Sequence, residues 1–210
     1  MTTRTYALAS VGLISVLVVG TGVAILWGGS NDDPFGQCRE GVVAGGAGSI
    51  GGPFTLVTET GEEVTDAEVI TEPTLVYFGY TFCPDVCPLD TVRNAEAVDL
   101  LDEVGRDVQP IFITVDPARD TPEVLAAFTD NVHERMLGLT GTQAQTDAAA
   151  DAYRVYYQSH ADGTDPYYLV DHTAFTYLMM PGIGFVEFFP RETSPQEMAS
   201  RTACFIDAAS

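Results

Sequence analysis

Residues 74–88 read TLVYFGYTFCPDVCP, an apolar run that is followed directly by two cysteines four positions apart. The uninterrupted apolar side chains at 75–80 predict a strand that is buried on both faces of a sheet. Cys83 and Cys87 then lie where the chain leaves the edge of the sheet, ahead of a helix predicted over 90–103. Two thiols in this position can form a disulfide or hold a soft metal ion.

Strands and helices alternate along the rest of the chain. Further strands are predicted at 54–57, 63–65, 110–116, 137–141, 173–180 and 184–189, and further helices at 120–132, 142–157 and 193–208. Such alternation predicts an α/β fold with a central mixed sheet flanked by helices. A thiol pair between a strand and a helix resembles the thioredoxin fold, in which the start of the helix favours the thiolate. The spacing departs from C-x-x-C, because here three residues separate the cysteines.

The first 30 residues predict one transmembrane helix that anchors the chain. Residues 7–27 contain no charged side chain, and at about 1.5 Å per residue they can cross a bilayer core of roughly 30 Å. Arg4 precedes this run and the acids Asp32 and Asp33 follow it. These flanks predict a single pass through the cytoplasmic (inner) membrane, with the N-terminus inside and the domain in the periplasm. A cleaved signal peptide is the alternative, although its apolar region is usually shorter, about 7–15 residues.

The charge of the chain limits the classes of partner that the exported part can bind. The chain has 9 Lys plus Arg, none of them Lys, against 30 Asp plus Glu, for a net charge of −21. A nucleic-acid partner is excluded, because phosphate binding needs a basic face. An acidic surface attracts metal cations or a basic protein, or it serves only solubility. The Gly-rich residues 31–52 predict a tether, so the folded domain is expected over 53–210.

His172 completes a candidate metal site. Thioredoxins have a proline just before the strand that faces their thiols, whereas Asp171 and His172 precede the predicted strand at 173–180. If the folds align, the imidazole faces the cysteine loop. Two thiolates and one imidazole suit copper, because thiolate selects Cu(I) and imidazole suits Cu(II). A structural disulfide between Cys83 and Cys87 is the alternative, but so short a loop gains little from a cross-link.

Three segments of the chain are distinctive, namely YFGYTFCPDVCP at 77–88, ITVDPARDTP at 113–122 and VDHT at 170–173. Together they resemble the signature of the Sco/SenC copper metallochaperones, and the similarity runs from about residue 52 to the C-terminus. The resemblance implies a thioredoxin-like copper-binding domain in which Cys83, Cys87 and His172 bind Cu(I) and Cu(II). It also implies delivery of copper to the binuclear centre of cytochrome c oxidase, and a redox-active role of the two cysteines toward the thiols of that centre.

The resemblance implies the copper-bearing subunit of cytochrome c oxidase as the partner. Another periplasmic copper carrier or a thiol reductant is a further candidate. Two alternative functions stay open. A membrane-tethered thiol-disulfide reductase needs only Cys83 and Cys87, and a redox or copper sensor acts through protein contact alone. His172 favours the carrier, because a reductase does not require an imidazole ligand.

Two further cysteines, Cys38 and Cys204, lie outside the metal-binding motif of the family. In an exported chain we expect them to form a structural disulfide that joins the tether to the last helix. A second metal site is the alternative.

Several polar and sulfur-containing residues are interpreted from their neighbours in the sequence. Asp171 either orients His172 or points away from it, since adjacent residues of a strand face opposite sides. The remaining expectations are a place for Asp85 at the helix start, a turn network of Asp116, Arg119 and Asp120, solvated imidazoles at His133 and His160, and core positions for Met179 and Met180.

We predict that a reporter fused after Ser30 lies outside the cytoplasm, because Arg4 precedes the apolar run and two acids follow it. An alkaline phosphatase fusion at this point should be active, and a reporter that works only in the cytoplasm should be silent. A control chain with Arg4→Glu, Asp32→Arg and Asp33→Arg should weaken or invert this pattern. Activity of only the cytoplasmic reporter in the unaltered chain would contradict the predicted topology.

Overall fold

The computed structural model describes residues 34–39 and 47–209. The strands of this part are β1 Thr55–Thr58, β2 Glu63–Thr65, β3 Thr74–Gly79, β4 Gln109–Thr114, β5 Leu137–Thr140, β6 Tyr157–Ser159, β7 Val170–His172, β8 Thr176–Met180 and β9 Gly184–Phe189. Its α-helices are α1 Asp66–Val69, α2 Val86–Asp102, α3 Pro122–Asp130, α4 Gln143–Ala152 and α5 Pro195–Ala208. A short 3-10 turn at Ala47–Ser49 precedes β1.

The predicted membrane span at 7–27 lies outside the described residues, as does much of the predicted tether at 31–52. Among the residues that the structure describes, no helix is long and apolar enough to cross a membrane. Every strand and helix named above belongs to one compact unit that begins at Gln37.

Seven strands form one mixed sheet in the order β2-β1-β5-β4-β3-β8-β9. Strands β3, β4 and β5 run parallel, and the pairs on either side of them are antiparallel. Helix α2 packs against α5, α3 against β5, and α4 against β1. The predicted thioredoxin-like α/β architecture, a mixed sheet flanked by helices, is therefore confirmed for the described residues.

Strand β3 lies near the middle of the sheet, and its end sets the position of the loop that carries the first cysteine. All of its residues are buried, as the apolar run predicts, and because successive side chains point to opposite faces, both faces are covered. On one face, the ring centroid of Phe78 lies 5.2 Å from that of Tyr153. On the other, the centroid of Tyr77 lies 6.1 Å from that of Phe112. The cysteine loop therefore starts from a strand that packing holds in place on both sides.

Helix α2 begins earlier than predicted, at Val86 instead of about residue 90. The apolar spacing indicated a later start because α2 buries polar side chains as well, among them Asp90 and Arg93. Asp85 occupies the N-cap position, as expected, although its side chain makes no capping hydrogen bond. The early start puts Cys87 in the first turn of α2, where backbone N–H groups lack helical partners.

Helix α4 is shorter than predicted, and the prediction of a helix over 142–157 is wrong beyond Ala152. Arg154 adopts a left-handed backbone conformation with φ of 57°, which ends a helix. The following residues form β6, which pairs antiparallel with β7 in a separate two-stranded sheet. In this small sheet Tyr157 lies opposite His172. His172 therefore belongs to a strand of its own, and the predicted strand at 173–180 begins later, at Thr176.

Cys38 and Cys204 are joined by a disulfide in the structure, with Cα atoms 5.7 Å apart. Cys204 belongs to α5, and Cys38 lies 166 positions earlier in the chain. Next to Cys38, the Arg39 Nε–H donates to the carbonyl oxygen of Val186 on β9 over 3.2 Å. The disulfide therefore attaches the segment before the folded domain to the last helix.

We predict that the double variant Cys38→Ser with Cys204→Ser unfolds at lower denaturant concentration than the unaltered protein. Closing a loop of this length stabilises by up to about 5 kcal/mol in the chain-entropy model. The measurement is a denaturant titration of the purified full-length protein, and addition of a strong reductant to the unaltered protein is the control. Equal midpoints for variant and unaltered protein, or free alkylation of Cys38 in the native unreduced protein, would contradict this disulfide.

Candidate metal centre

Three side chains that are distant in the sequence meet beyond the carboxyl end of β3. Cys83 lies in the loop after β3, Cys87 in the first turn of α2, and His172 at the end of β7. Their ligand atoms all lie within 4.8 Å of one another. The Cys87 Sγ is 3.3 Å from the His172 Nε2, and the Cys87 backbone N–H donates to the Cys83 Sγ over 3.4 Å. Within residues 34–39 and 47–209, no other group of three or more Cys, His, Asp or Glu side chains has this arrangement.

The imidazole of His172 is oriented by its own strand. Its Nδ1 lies 3.1 Å from the carbonyl oxygen of Thr173, and because a carbonyl oxygen only accepts, Nδ1 carries the proton of this hydrogen bond. The lone pair of Nε2 is then directed toward the thiols. The rings of Tyr77 and Tyr80 meet the imidazole edge-on, at centroid distances of 6.2 and 5.9 Å. The His172 ring is thus held between two aromatic walls with one nitrogen free to bind.

Asp171 does not orient His172. Its Oδ2 lies 2.9 Å from the Nε2 of His160, and both side chains are more than half exposed. Of the two interpretations of Asp171, the one in which it points away is therefore correct. The expectation that His160 is solvated is also correct, whereas it is wrong for His133. The side chain of His133 is only 10% exposed and pairs with Asp99 over 3.3 Å.

The two thiols are not equivalent. Cys83 is 7% exposed and Cys87 is fully buried. Hydrogen bonds from the Cys87 thiol and from nearby backbone N–H groups lower the pKa of Cys83 far below its ordinary value, although burial opposes the shift. The pKa of Cys87 is raised, because it donates to Cys83 and because burial disfavours its charged form. The two opposite shifts favour the state in which the metal-free pair shares one proton and Cys87 holds it.

Gly79 makes room for Cys87, and the sequence analysis did not single it out. A Cβ atom at position 79 would lie 3.0 Å from the Cys87 Sγ and 2.9 Å from the Cε1 of Tyr77. Both distances are shorter than ordinary contacts, so the thiol approaches the backbone of β3 only because residue 79 has no side chain. A glycine inside a strand of bulky residues is a recognised sign of such an approach. That signal was present in the sequence.

Tyr77 links the centre to a buried polar network. Its hydroxyl donates to the Oδ2 of Asp90 over 2.9 Å. Asp90 lies 3.7 Å from the guanidinium of Arg93 and 3.3 Å from that of Arg191. Because Asp90 lies three residues after Cys87 on α2, the network fixes the tyrosine ring and the helix start together.

Two of the three side chains, Cys83 and His172, line one side of a cleft of about 360 Å³. Its walls are formed by Tyr80, Cys83, Pro84, Asp85, Val86, Leu169, Val170, Asp171 and His172. Leu169 at its rim is half exposed. A second protein can therefore approach Cys83 and His172 from this side. Met179 and Met180, by contrast, are buried core residues, as expected.

The polar segment between β4 and α3 forms a local network, as predicted. The Nε–H of Arg119 donates to the Oδ2 of Asp116 over 2.5 Å. Asp120 is fully buried and accepts from the Thr114 hydroxyl over 2.6 Å. Burial raises the pKa of Asp120, while the hydrogen bonds that it accepts oppose the shift.

A family model described as SCO1/SenC matches residues 43–207. The chain belongs to the SCO1/SenC family. Protein SenC of Rhodobacter capsulatus is 52% identical over 208 residues, which are 99% of this chain and 93% of that protein. The human mitochondrial SCO1 homolog is 40% identical over 156 residues, or 73% of this chain, and the match spans 52% of its own length. The resemblance of the three sequence segments is thereby confirmed.

Solved structures of SCO1/SenC proteins share the fold. The structure of Arabidopsis thaliana ScoI with copper bound has a TM-score of 0.70 and 37% identity, and covers 75% of this chain and 99% of that one. Yeast Sco1 with copper bound has a TM-score of 0.71 and 35% identity, and covers 76% and 89%. The sheet and helices of this SCO1/SenC protein therefore have the arrangement found in copper-bound relatives.

We predict that Cys83 reacts with iodoacetamide well before Cys87 in the reduced, metal-free protein. Cys83 is a partly exposed thiolate, whereas Cys87 is buried and keeps its proton. Peptide mapping after brief labelling at about pH 6 and about pH 8 should find Cys83 modified at both, because its pKa lies below both.

The matched variant for this experiment is Cys87→Ala. It removes the largest contribution to the lowered pKa of Cys83, the hydrogen bond from the Cys87 thiol. The pH midpoint of Cys83 labelling should therefore rise toward the ordinary value of about 8.5. Faster labelling of Cys87 in the unaltered protein, or an unchanged midpoint in the variant, would contradict the assignment of the thiolate to Cys83.

Proposed function

We propose that this protein binds copper outside the cytoplasm and delivers it to the binuclear copper centre of cytochrome c oxidase. The observation that carries the proposal is the convergence of Cys83, Cys87 and His172 beyond the end of β3. The membership of the SCO1/SenC family and the copper bound to its Arabidopsis and yeast relatives support the choice of metal.

The three side chains fit copper in both of its common oxidation states. Two thiolates are soft ligands and bind Cu(I). The imidazole is a ligand that also suits Cu(II), and its free Nε2 lies 3.3 Å from the Cys87 Sγ. Metal binding requires both thiols to be deprotonated. Because the pKa of Cys83 is lowered and that of Cys87 is raised, the proton of Cys87 is the one that copper binding has to displace.

Transfer of copper to another protein needs a site that holds the ion tightly but that the acceptor can reach. Cys83 is partly exposed, and the cleft beside it is open to a partner. A three-ligand site leaves space for an incoming thiolate to bind before one of the three ligands leaves. The copper-bearing subunit of the oxidase, whose centre contains cysteines, is the acceptor that the resemblance implies. Another periplasmic copper carrier or a thiol reductant would act before or after this step.

A thiol-disulfide reductase is the second candidate function, and the unequal thiols favour it. A thiolate at the edge of a cleft beside a fully buried thiol is the arrangement that attacks a disulfide with one sulfur and resolves the mixed disulfide with the other. Cys83 and Cys87 are both free thiols in the structure. The target would be the cysteines of the same oxidase centre. The ordered imidazole of His172 is what favours the carrier, because the exchange reaction does not use it.

The proposed location follows from the N-terminal sequence. An apolar run at 7–27 that follows Arg4 and precedes two acids would anchor the protein in the inner membrane, with its domain in the periplasm. The proposed domains are an anchor at 1–30, a tether at 31–52 and a copper-binding domain at 53–210.

We predict that the full-length protein binds one copper ion and that Cu(II) gives thiolate-to-metal charge-transfer bands. Cys83→Ala and Cys87→Ala should each abolish these bands. His172→Ala should lower the affinity for Cu(II) by more than about tenfold and that for Cu(I) by much less, since two thiolates still hold the soft ion. The measurements are absorption spectra and competition titrations. His160→Ala is the matched control and should bind copper like the unaltered protein, because His160 pairs with Asp171 outside the cluster.

The same His172→Ala variant separates carrier from reductase in cells that lack the native gene. If the protein is a carrier, the variant fails to restore oxidase activity under copper limitation, although Cys83 and Cys87 still reduce a disulfide. If it is a reductase, the variant restores the activity fully. Unchanged Cu(II) spectra in His172→Ala would remove this residue from the site.

A further inference from the structure

Arg119 lies in the loop between β4 and α3, and its guanidinium is surrounded by three aromatic rings. Its Cζ atom is 3.6 Å from the ring centroid of Tyr168, 4.9 Å from that of Phe82 and 5.5 Å from that of Tyr80. The side chain is only 12% exposed and makes an ion pair with Asp116. A guanidinium that stacks on rings and is largely removed from water is strongly held, since cation–π contacts gain strength on desolvation.

The three rings belong to the two chain segments that carry the candidate metal ligands. We call them the cysteine arm, which is the loop after β3, and the histidine arm, which is the segment that leads into β7. Tyr80 and Phe82 lie in the cysteine loop, directly before Cys83. Tyr168 lies in the segment that leads into β7, four residues before His172. Arg119 also donates from Nη1 to the carbonyl oxygen of Pro166 in that segment, over 3.2 Å. One side chain therefore contacts both the cysteine arm and the histidine arm of the centre.

The acids on either side of Arg119 bind the same two arms. Asp116 accepts a hydrogen bond from the Tyr168 hydroxyl over 2.8 Å, on the histidine arm. Asp120 accepts from the backbone N–H and the hydroxyl of Thr81, over 3.0 and 2.6 Å, on the cysteine arm. Within this short segment, one carboxylate thus binds each arm and the arginine binds both.

The histidine arm depends on such contacts because its own secondary structure is small. Strand β7 has three residues, and it pairs with β6, which also has three. Two such short strands are not stable by themselves in water. One hydrogen bond of the arm to the cysteine loop runs from the backbone N–H of Val170 to the Tyr80 hydroxyl, over 3.3 Å. The stacking of Arg119 on Tyr168 is an additional attachment.

We propose that Arg119 is a positioning residue for the copper site, which holds the histidine arm against the cysteine loop and so sets the position of the His172 imidazole relative to the two thiols. As far as copper is concerned, this inference rests on the proposed function. Substitution of Arg119 leaves both thiols in place, because Cys83 and Cys87 are positioned by β3 and α2. It loosens only the imidazole. The affinity for Cu(II) therefore falls more than the affinity for Cu(I), which two thiolates can hold.

The test compares Arg119→Ala, Arg119→Lys and Tyr168→Leu with the unaltered full-length protein. Lysine keeps the charge but lacks the planar group that stacks on Tyr168, so Arg119→Lys should resemble Arg119→Ala. Arg135→Ala is the matched control. Arg135 also forms ion pairs, but with Asp102 and Asp107 and not with either arm.

Three quantities are measured for each variant. The affinity for Cu(II) should fall about tenfold in the three test variants, as for residues that orient a metal ligand, and the affinity for Cu(I) should change less than about threefold. In the metal-free protein, amide hydrogen exchange at residues 167–173 should become about tenfold faster, because the arm opens locally. The thermal midpoint reports whether the fold as a whole is intact. Arg135→Ala should change neither the affinities nor this exchange.

Loss of Cu(II) affinity with retained Cu(I) affinity and faster exchange of the arm would support the proposal. It is overturned if the test variants bind Cu(II) and exchange like the unaltered protein. It is also overturned if Cu(I) and Cu(II) affinities fall equally together with the thermal midpoint, since Arg119 would then only stabilise the fold. If the unaltered protein binds no copper, the proposed function fails, and the exchange at 167–173 alone then decides whether Arg119 holds the arm.

Discussion

Cys87 lies so close to strand β3 that position 79 has no room for a side chain. Its Sγ would be 3.0 Å from a Cβ atom there, and this approach locates the first turn of α2 against the end of the strand. The remaining ligands are placed relative to that sulfur. The Cys87 N–H donates to the Cys83 Sγ, and the His172 Nε2 lies 3.3 Å from the Cys87 Sγ. One steric constraint, a glycine in a strand buried on both faces, thus underlies the whole centre.

The same burial makes the two thiols chemically different. Cys87 is fully buried and its pKa is raised, whereas Cys83 lines the cleft and accepts hydrogen bonds that lower its pKa. An unequal pair of this kind suits a reductase as well as a metal carrier, so the cysteines alone do not decide the function. The candidate third ligand, His172, is the feature that favours the proposed carrier. His172 is held by the Thr173 carbonyl, by two tyrosine rings and by an arm that Arg119 attaches to the cysteine loop.

Much of the candidate site was predictable, because the ligands stand in short segments with a strong pattern. An apolar run followed by two cysteines indicates a strand, a loop and a helix start, and these are local properties of the chain. The role of His172 followed from a family resemblance, since a lone histidine at a strand end has no distinctive pattern. The predictions of the start of α2 and of the end of α4 were wrong. Helix α2 buries polar as well as apolar residues, so its apolar spacing did not show where it starts. Helix α4 ends early because Arg154 adopts a left-handed conformation that residues other than glycine seldom adopt.

The sequence by itself determined the alternating α/β architecture, the buried strand before the cysteines and the acidic charge, and through the family resemblance it indicated the three candidate ligands. These follow from hydrophobic pattern, composition and motif, which depend on residues close together in the chain. Only the tertiary structure decided that Asp171 turns to His160, that the pKa of Cys83 is lowered while that of Cys87 is raised, and that Arg119 stacks between the two arms. Those properties depend on burial and on contacts between residues that are not neighbours in the chain, such as Arg119 and Tyr168, which are 49 positions apart. No local pattern in the sequence carries that information.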